Sequence, residues 1–390
     1  MCGIAGYARA RCCELPLEEA GVLHRMVATL TPRGPDAEGY YVTGSVALGH
    51  RRLSIIDLSG GAQPMCDEER GVAVVFNGEI YNYRELNAEL ETLGLSARTR
   101  SDTETLLHAY SAWGQECLDK LNGMFSFVIY DLRNRRLFGA RDRMGKKPFY
   151  YYQKDGLFVF ASEMKALLQH PAVKPEVDPQ AAARYFLHEF VPAPYAIFKG
   201  TRKLGAAQCL TYHLDTGELA VRTYWDMYRS EEPPPQDHTS EEDWGARIRQ
   251  SLETVVRRRL VSDVPLGVFL SGGIDSSAVT AAMVRIMGPE NVKTFSIGFS
   301  DKRFDESEYA ERMSKFLGTK HAADHLSADV ATDILPKVIS FLDEPFADPS
   351  VLPTYLLARF ARRFVTVALT GDGGDELFAG YDTFRALSFL

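Results

Sequence analysis

The chain has 390 residues, enough for two domains of ordinary size, and its 45% hydrophobic and 25% charged content is that of a globular protein. A net charge of -8 excludes a nucleic-acid scaffold, because phosphate binding needs a basic field. No apolar run reaches the ~18–20 residues that span a bilayer, and the amino terminus lacks a signal-peptide pattern. We therefore expect a cytoplasmic protein with no nucleic-acid and no membrane partner.

The chain opens MCGIAGY, with a thiol directly behind the initiator methionine. Removal of Met1 would leave Cys2 carrying a thiol and a free α-amine, a nucleophile and a base on one residue. The bland alternative is an incidental cysteine in a frayed terminus. The remaining cysteines (Cys12, Cys13, Cys66, Cys117 and Cys209) form no CxxC pair, and no histidines are spaced beside them for zinc. Onward from the terminus, residues 46–57, 71–82, 123–132 and 136–152 read as strands, rich in β-branched and aromatic residues and separated by Gly or Asn turns. Apolar spacing predicts a helix over 104–114. Residues 229–243, RSEEPPPQDHTSEED, have three prolines and almost no apolar side chains, and read as a linker.

Beyond it the pattern alternates. Helices are expected over 244–260, 276–287 and 306–318, and strands over 264–270, 293–299 and 364–370. Such alternation means a parallel sheet with helical crossovers. The triple arginine at 257–259 reads as a solvated helix face rather than an anion site. The informative stretch is VFLSGGIDSSAV (268–279), a buried strand running through Ser-Gly-Gly into a helix. Glycines let backbone approach an anion, and a helix start offers unpaired N–H groups with a favourable dipole. Ser271, Ser276 and Ser277 add hydroxyls, and Asp275 suits a magnesium ion between phosphates. The loop is neither GxxxxGK[ST] nor GxGxxG. A second acidic loop, LTGDGGDELFAGY (369–381), also follows an apolar strand, at the sheet edge where ligands bind. Asp372, Asp375 and Glu376 are its candidates for metal and substrate; a plain glycine-rich turn is the alternative.

The SGGIDSS element resembles the pyrophosphate loop of the ATP-pyrophosphatase superfamily. MCGIAG, RGPD (33–36), HRRLSIID (50–57), FNGEIYN (76–82) and ARDRMGKKPFYY (140–151) resemble the class II glutamine amidotransferase domain. Joined to SGGIDSS and TGDGGDE, in this order from residue 2 to residue 381, they are similar to glutamine-hydrolysing asparagine synthetases. The resemblance implies an α+β Ntn-hydrolase-type amidotransferase domain over 2–228, a four-layer αββα sandwich. A linker over 229–243 and an α/β parallel-sheet ATP-binding domain over 244–390 would follow. It also implies that Cys2 attacks the side-chain amide of glutamine, with the Asn77 amide and the Gly78 N–H as oxyanion hole. Arg52 would pair with the glutamine α-carboxylate, Asp102 and Glu79 would hold its α-ammonium, and backbone around Ile55 would complete the pocket. For Arg52 a surface salt bridge is the alternative. For Asp102 it is a helix N-cap, since SDTE precedes a helix, and that role could coexist with the first.

For the second domain the resemblance implies that ATP adenylates a carboxylate and that ammonia attacks the acyl-adenylate. Leu270 and Ile297 would pack around adenosine, with Ser271, Gly272, Gly273, Ser276, Thr370 and Gly371 completing the ATP site. Asp275 and Asp375 would hold Mg2+. Ammonia must arrive uncharged, so a shielded passage between the domains is implied. Aspartate is the expected acceptor, and a homodimer is a further expectation. Two positions depart from the family pattern: Pro32 stands where histidine precedes RGPD, and Asp372 where the acidic loop usually carries the glutamate associated with acyl-adenylate formation. Amidotransfer to another carboxylate, such as a sugar acid or peptide, is therefore the second hypothesis, and a binding protein with a degenerate site the third. Because the family's synthetase domain continues well past the acidic loop, the 390 residues are expected to be part of a longer enzyme.

Overall fold

The computed structural model describes the chain except residues 13, 16–18, 20, 230–239, 301, 304, 327 and 388–390. The chain forms two compact units: Met1–Pro233 with Leu342–Ala347, and Pro234–Phe341 with Asp348–Leu390. Most of the expected linker lies outside the described residues. Its last three residues belong to the helix Glu241–Arg259, which starts earlier than apolar spacing suggested because the Ser240 hydroxyl caps the Asp243 N–H and three acidic residues fill the first turn.

In the first unit two six-stranded antiparallel sheets lie face to face. One runs Thr201–Lys203, Tyr150–Lys154, Leu157–Ala161, Gly3–Arg9, Val46–Arg52, Ala37–Thr43. The other runs Leu219–Thr223, Gln208–His213, Arg136–Arg141, Gly123–Asp131, Val72–Ile80, Met65–Asp67. Alternate side chains of each strand point into the space between the sheets. Ile4, Leu48, Val75, Val128, Phe158, Leu210 and Tyr212 fill it, with Phe158 stacked on Tyr212. The opposite parity of the first sheet, including Ala5, Tyr7 and Ala47, packs under the helix Val22–Thr29. The helix Asp102–Trp113 covers the second sheet. The result is the expected αββα sandwich.

The segment 136–152, read as one strand, divides into Arg136–Arg141 and Tyr150–Lys154, which lie in different sheets. The break is built on Asp142. Its buried carboxylate accepts the N–H groups of Phe125, Met144, Lys146 and Lys147 at 2.9–3.2 Å.

The second unit is an α/β domain. Its sheet is parallel, in the order Lys320–Leu326, Lys293–Phe299, Leu266–Phe269, Val367–Leu369. Strands expected over 264–270 and 364–370 are shorter than their apolar runs. Val268, Met283 and Val292 form one small core, and Phe295, Phe360 and Val365 another. No helix among the described residues is long and apolar enough to cross a membrane.

The Phe158→Ala substitution should cost about 3–5 kcal/mol, because the space between two sheets cannot collapse around the lost ring. Urea unfolding of the two proteins measures the difference.

Candidate active sites

In the first unit strand parity delivers the polar groups. Asn77 and Glu79 continue the parity of Ala73 and Val75, Ser126 that of Val128, His50 and Arg52 that of Leu48, and Cys2 that of Ile4. The apolar filling thus gives way to polar side chains at one end of the sandwich. Register agrees: Asn77 lies opposite Ser126, and Gly3 opposite Arg51. His50 ties the two sheets together, donating from Nε2 to the Phe76 carbonyl at 3.0 Å. Burial drops its pKa to about 3, so the ring is neutral.

Asn77 is 1% exposed, yet neither its Oδ1 nor its Nδ2 makes a hydrogen bond among the described residues. The Ser126 hydroxyl is likewise buried without a partner. Each such group costs about 1–3 kcal/mol unless something else bonds it. Neighbouring Gly78 cannot be replaced: a Cβ there would stand 2.2 Å from the Met124 carbonyl oxygen.

The Cys2 thiol sits against the Leu53 backbone, with Sγ 3.4 Å from the N–H and 3.7 Å from the carbonyl oxygen. Burial raises its pKa, and the Leu53 N–H opposes that shift. The amine at this end of the chain, on Met1, falls to about 5, chiefly by desolvation, with the Arg33 and Lys147 charges helping. The Cys2 carbonyl accepts the Arg33 Nε–H at 2.8 Å, and Arg33 Nη1 pairs with Glu163 at 3.1 Å.

Arg52 is buried, and its guanidinium donates to the carbonyls of Ile56, Asp57 and Leu58 at 2.6–3.2 Å. Among the described residues it makes no surface salt bridge; it clamps the loop that contains Ile55. Gly61 lies against this guanidinium: a Cβ there would stand 2.3 Å from Arg52 Nη2. Asp36 of RGPD holds the same loop through the Ser54 N–H at 2.8 Å. Asp102 is not the helix cap. Ser101 caps the helix, accepting from Thr103 N–H at 3.2 Å, while buried Asp102 accepts from Ile80 N–H at 2.9 Å. Burial lifts the Asp102 carboxyl to about 7, with Glu79 adding and the Ile80 bond opposing.

In the second unit the strand Leu266–Phe269 leads through buried Leu270, whose N–H donates to Phe295 at 2.8 Å, into the loop and the helix Ile274–Met287. Gly272 has φ +84°, and a Cβ there would meet the Tyr309 backbone at 2.5 Å. Ser271 and Ser276 bond each other at 2.9 Å and brace the turn. The Ser277 hydroxyl is buried with no partner among the described residues. The helix has Gly273 as cap and no side-chain cap, which leaves its first N–H groups open. Half-buried Ile297 lies on the neighbouring strand Lys293–Phe299.

The strand Val367–Leu369 pairs directly with Leu266–Phe269, so the acidic loop emerges beside the first. A Cβ on Gly371 would stand 2.7 Å from Ser276 N, and one on Gly374 2.3 Å from the Asp275 carboxyl carbon. Asp372 is exposed, and its N–H donates to the Thr370 hydroxyl at 3.2 Å. Glu376 accepts from the Tyr381 hydroxyl at 2.9 Å. No cluster of three or more metal-ligating side chains exists among the described residues. Asp275 and Asp375 instead suit a magnesium ion carried by phosphate oxygens, which needs only one or two carboxylates from the protein.

Sequence reasoning missed Arg33, Ser126, Asp142, Lys147 and Glu163. Arg33 lies in RGPD, and Asp142 and Lys147 in ARDRMGKK, so the motifs held the signal without the roles. Glu163 and Ser126 carried none.

The glutamine amidotransferase domain model matches residues 1–225, and the asparagine synthase model residues 247–390. Glutamine-hydrolyzing asparagine synthetase 1 of Bacillus subtilis is 37% identical over 387 residues, covering 99% of this chain and 60% of the relative. A putative glutamine-hydrolyzing asparagine synthetase 2 of Methanocaldococcus jannaschii is 39% identical over 404 residues, covering 98% and 76%. The third B. subtilis synthetase is 36% identical, covering 99% and 64%. The chain therefore spans 60–76% of the length of these relatives, and both of its halves match in their order. On that evidence it belongs to the glutamine-hydrolysing asparagine synthetase family.

Proposed function

We propose that this chain carries the two reaction centres of a cytoplasmic, glutamine-dependent asparagine synthetase. Glutamine, aspartate, ATP and water give glutamate, asparagine, AMP and pyrophosphate. The observation that carries the reading is the buried, unpartnered Asn77 amide at the Cys2 end of the sandwich. A developing oxyanion would supply the partner that this amide lacks, so the cost of burying it is recovered in the transition state.

With Met1 removed, the free α-amine passes to Cys2. An α-amine, ordinarily near ~7.7–8.0, is partly unprotonated at neutral pH and can take the thiol proton. The thiolate then attacks the glutamine amide carbon, and Asn77 Nδ2–H and Gly78 N–H hold the oxyanion. Collapse breaks the C–N bond and releases ammonia, leaving a thioester that water hydrolyses to glutamate. Arg52 would bind the α-carboxylate with the donors its loop carbonyls leave over, and Asp102 and Glu79 the α-ammonium. In the second unit the open helix N–H groups, the Ser277 hydroxyl and the Gly272 turn suit the departing pyrophosphate. Asp275 and Asp375 would hold Mg2+, which supplies neutralisation of phosphate charge. Asp372 stands exposed in the acidic loop as the acceptor-side carboxylate.

Mature protein should lack Met1, and Cys2→Ala should abolish glutamine hydrolysis while ammonia-dependent synthesis persists. Intact-mass measurement and a glutamate assay check both, and hydrolysis at the wild-type rate would end the assignment.

Asp102 yields a pH prediction. Its folded pKa of about 7 exceeds the ordinary carboxylate value of ~3.9. The native state therefore holds a proton between those values that the unfolded chain has released, and stability declines as pH rises through that window. Asp102→Asn should flatten this slope yet raise the glutamine KM at pH 8 by about tenfold or more, the worth of one charged hydrogen bond. Urea melts at pH 5 and pH 8, with glutamine kinetics, test it.

In the protein that carries this chain, ATP should be split to AMP and pyrophosphate, and Asp275→Asn should suppress that cleavage. ADP as the main product would overturn the adenylation reading.

A further inference from the structure

Six residues, Leu342–Ala347, belong to the first unit, although the chain on either side of them belongs to the second. Their two carboxylates are nearly buried, Asp343 at 9% and Glu344 at 8% side-chain exposure. Each is fully engaged, but with different partners. Glu344 accepts from the Tyr150 hydroxyl at 3.1 Å and the Ile197 N–H at 2.7 Å, and pairs with Lys203. Asp343 accepts from the Met164 N–H at 2.7 Å and lies 3.4 Å from Lys165 Nζ.

From Asp343 a line of alternating charge leads to the nucleophile. Lys165 Nζ is also 3.4 Å from Glu163 Oε2. The other oxygen of Glu163 holds Arg33 Nη1 at 3.1 Å, and Arg33 Nε donates to the Cys2 carbonyl at 2.8 Å. Arg33 and Glu163 are largely buried, at 12% and 16% side-chain exposure, so solvent screens their pairing weakly, while Lys165 is 28% exposed. With Asp343 neutral, Lys165 would draw more on Glu163, and Glu163 would hold Arg33 less firmly.

We propose that Asp343 is a positioning residue for glutamine hydrolysis, acting through Lys165, Glu163 and Arg33 to fix the backbone of Cys2. The inference rests on Cys2 being the nucleophile. It assigns Asp343 no contact with glutamine, so its loss should alter turnover and leave binding intact. Small displacements of a nucleophile are costly: a shift of ~1 Å can cost a hundredfold in rate.

The test is steady-state glutamine hydrolysis by the full chain and four variants. Asp343→Asn should lower kcat about tenfold, ~1.4 kcal/mol, with the glutamine KM within about twofold of wild type. Glu163→Gln should lower kcat similarly, and the double variant should be no worse than the poorer single one, since both break the same line. Glu344→Gln disturbs the docking of the same six residues without touching that line, and should keep the wild-type kcat despite a lower melting temperature. Equal kcat losses in Asp343→Asn and Glu344→Gln, additive losses in the double variant, or unchanged kcat in Asp343→Asn would each overturn the proposal. Should Asp343→Asn fail to fold, Lys165→Met breaks the same line and carries the same expectations. Cys2→Ala, run in parallel, separates the two ideas: if it still hydrolyses glutamine, the nucleophile assignment fails first.

Discussion

Two-residue periodicity governs the first unit. Side chains of one parity must fill the space between the sheets, and the sandwich cannot form unless each strand keeps that parity to its end. Ile4, Leu48, Val75 and Val128 meet the requirement with apolar groups. The same register then carries Cys2, His50, Arg52, Asn77 and Ser126 to one end, where no apolar filling remains. A slip of one residue in any of these strands would expose a core side chain and turn away a polar one. The site thus inherits its precision from the packing of the core.

That economy leaves polar groups buried without partners among the described residues. The Asn77 amide and Ser126 hydroxyl destabilise the fold as they stand, and buried Asp102 is held in an environment that favours its neutral form. Natural proteins keep such groups where a ligand or transition state supplies what is missing. The second unit shows the feature once more, in the Ser277 hydroxyl beside a turn into which only glycine fits.

Much of this was legible in the sequence because it is local. SGGIDSS lies between an apolar strand and a helix, and strand, turn and helix all form there. Alternation of apolar residues marked most of the central strands. What failed was non-local. Residues 136–152 look like one long strand, and only the four N–H groups gathered by Asp142 break it and send its halves to different sheets. SDTE allows either Ser101 or Asp102 as the cap; the choice depends on the Ile80 N–H, which only strand pairing brings to Asp102. The ligation of Arg33 by Glu163 spans 130 positions and has no sequence signature.

The discontinuity of the first unit bears on how the protein is made. A chain emerging from the ribosome can form both sheets once Pro233 has appeared, but Tyr150, Lys203 and the Met164 N–H still lack their acidic partners. Those partners arrive only when Leu342–Ala347 has been synthesised, after Pro234–Phe341 of the second unit. The usual order, in which an amino-terminal domain is finished before the next begins, does not hold here. The last step in building the first unit therefore has to wait until Pro234–Phe341 of the second unit has been made.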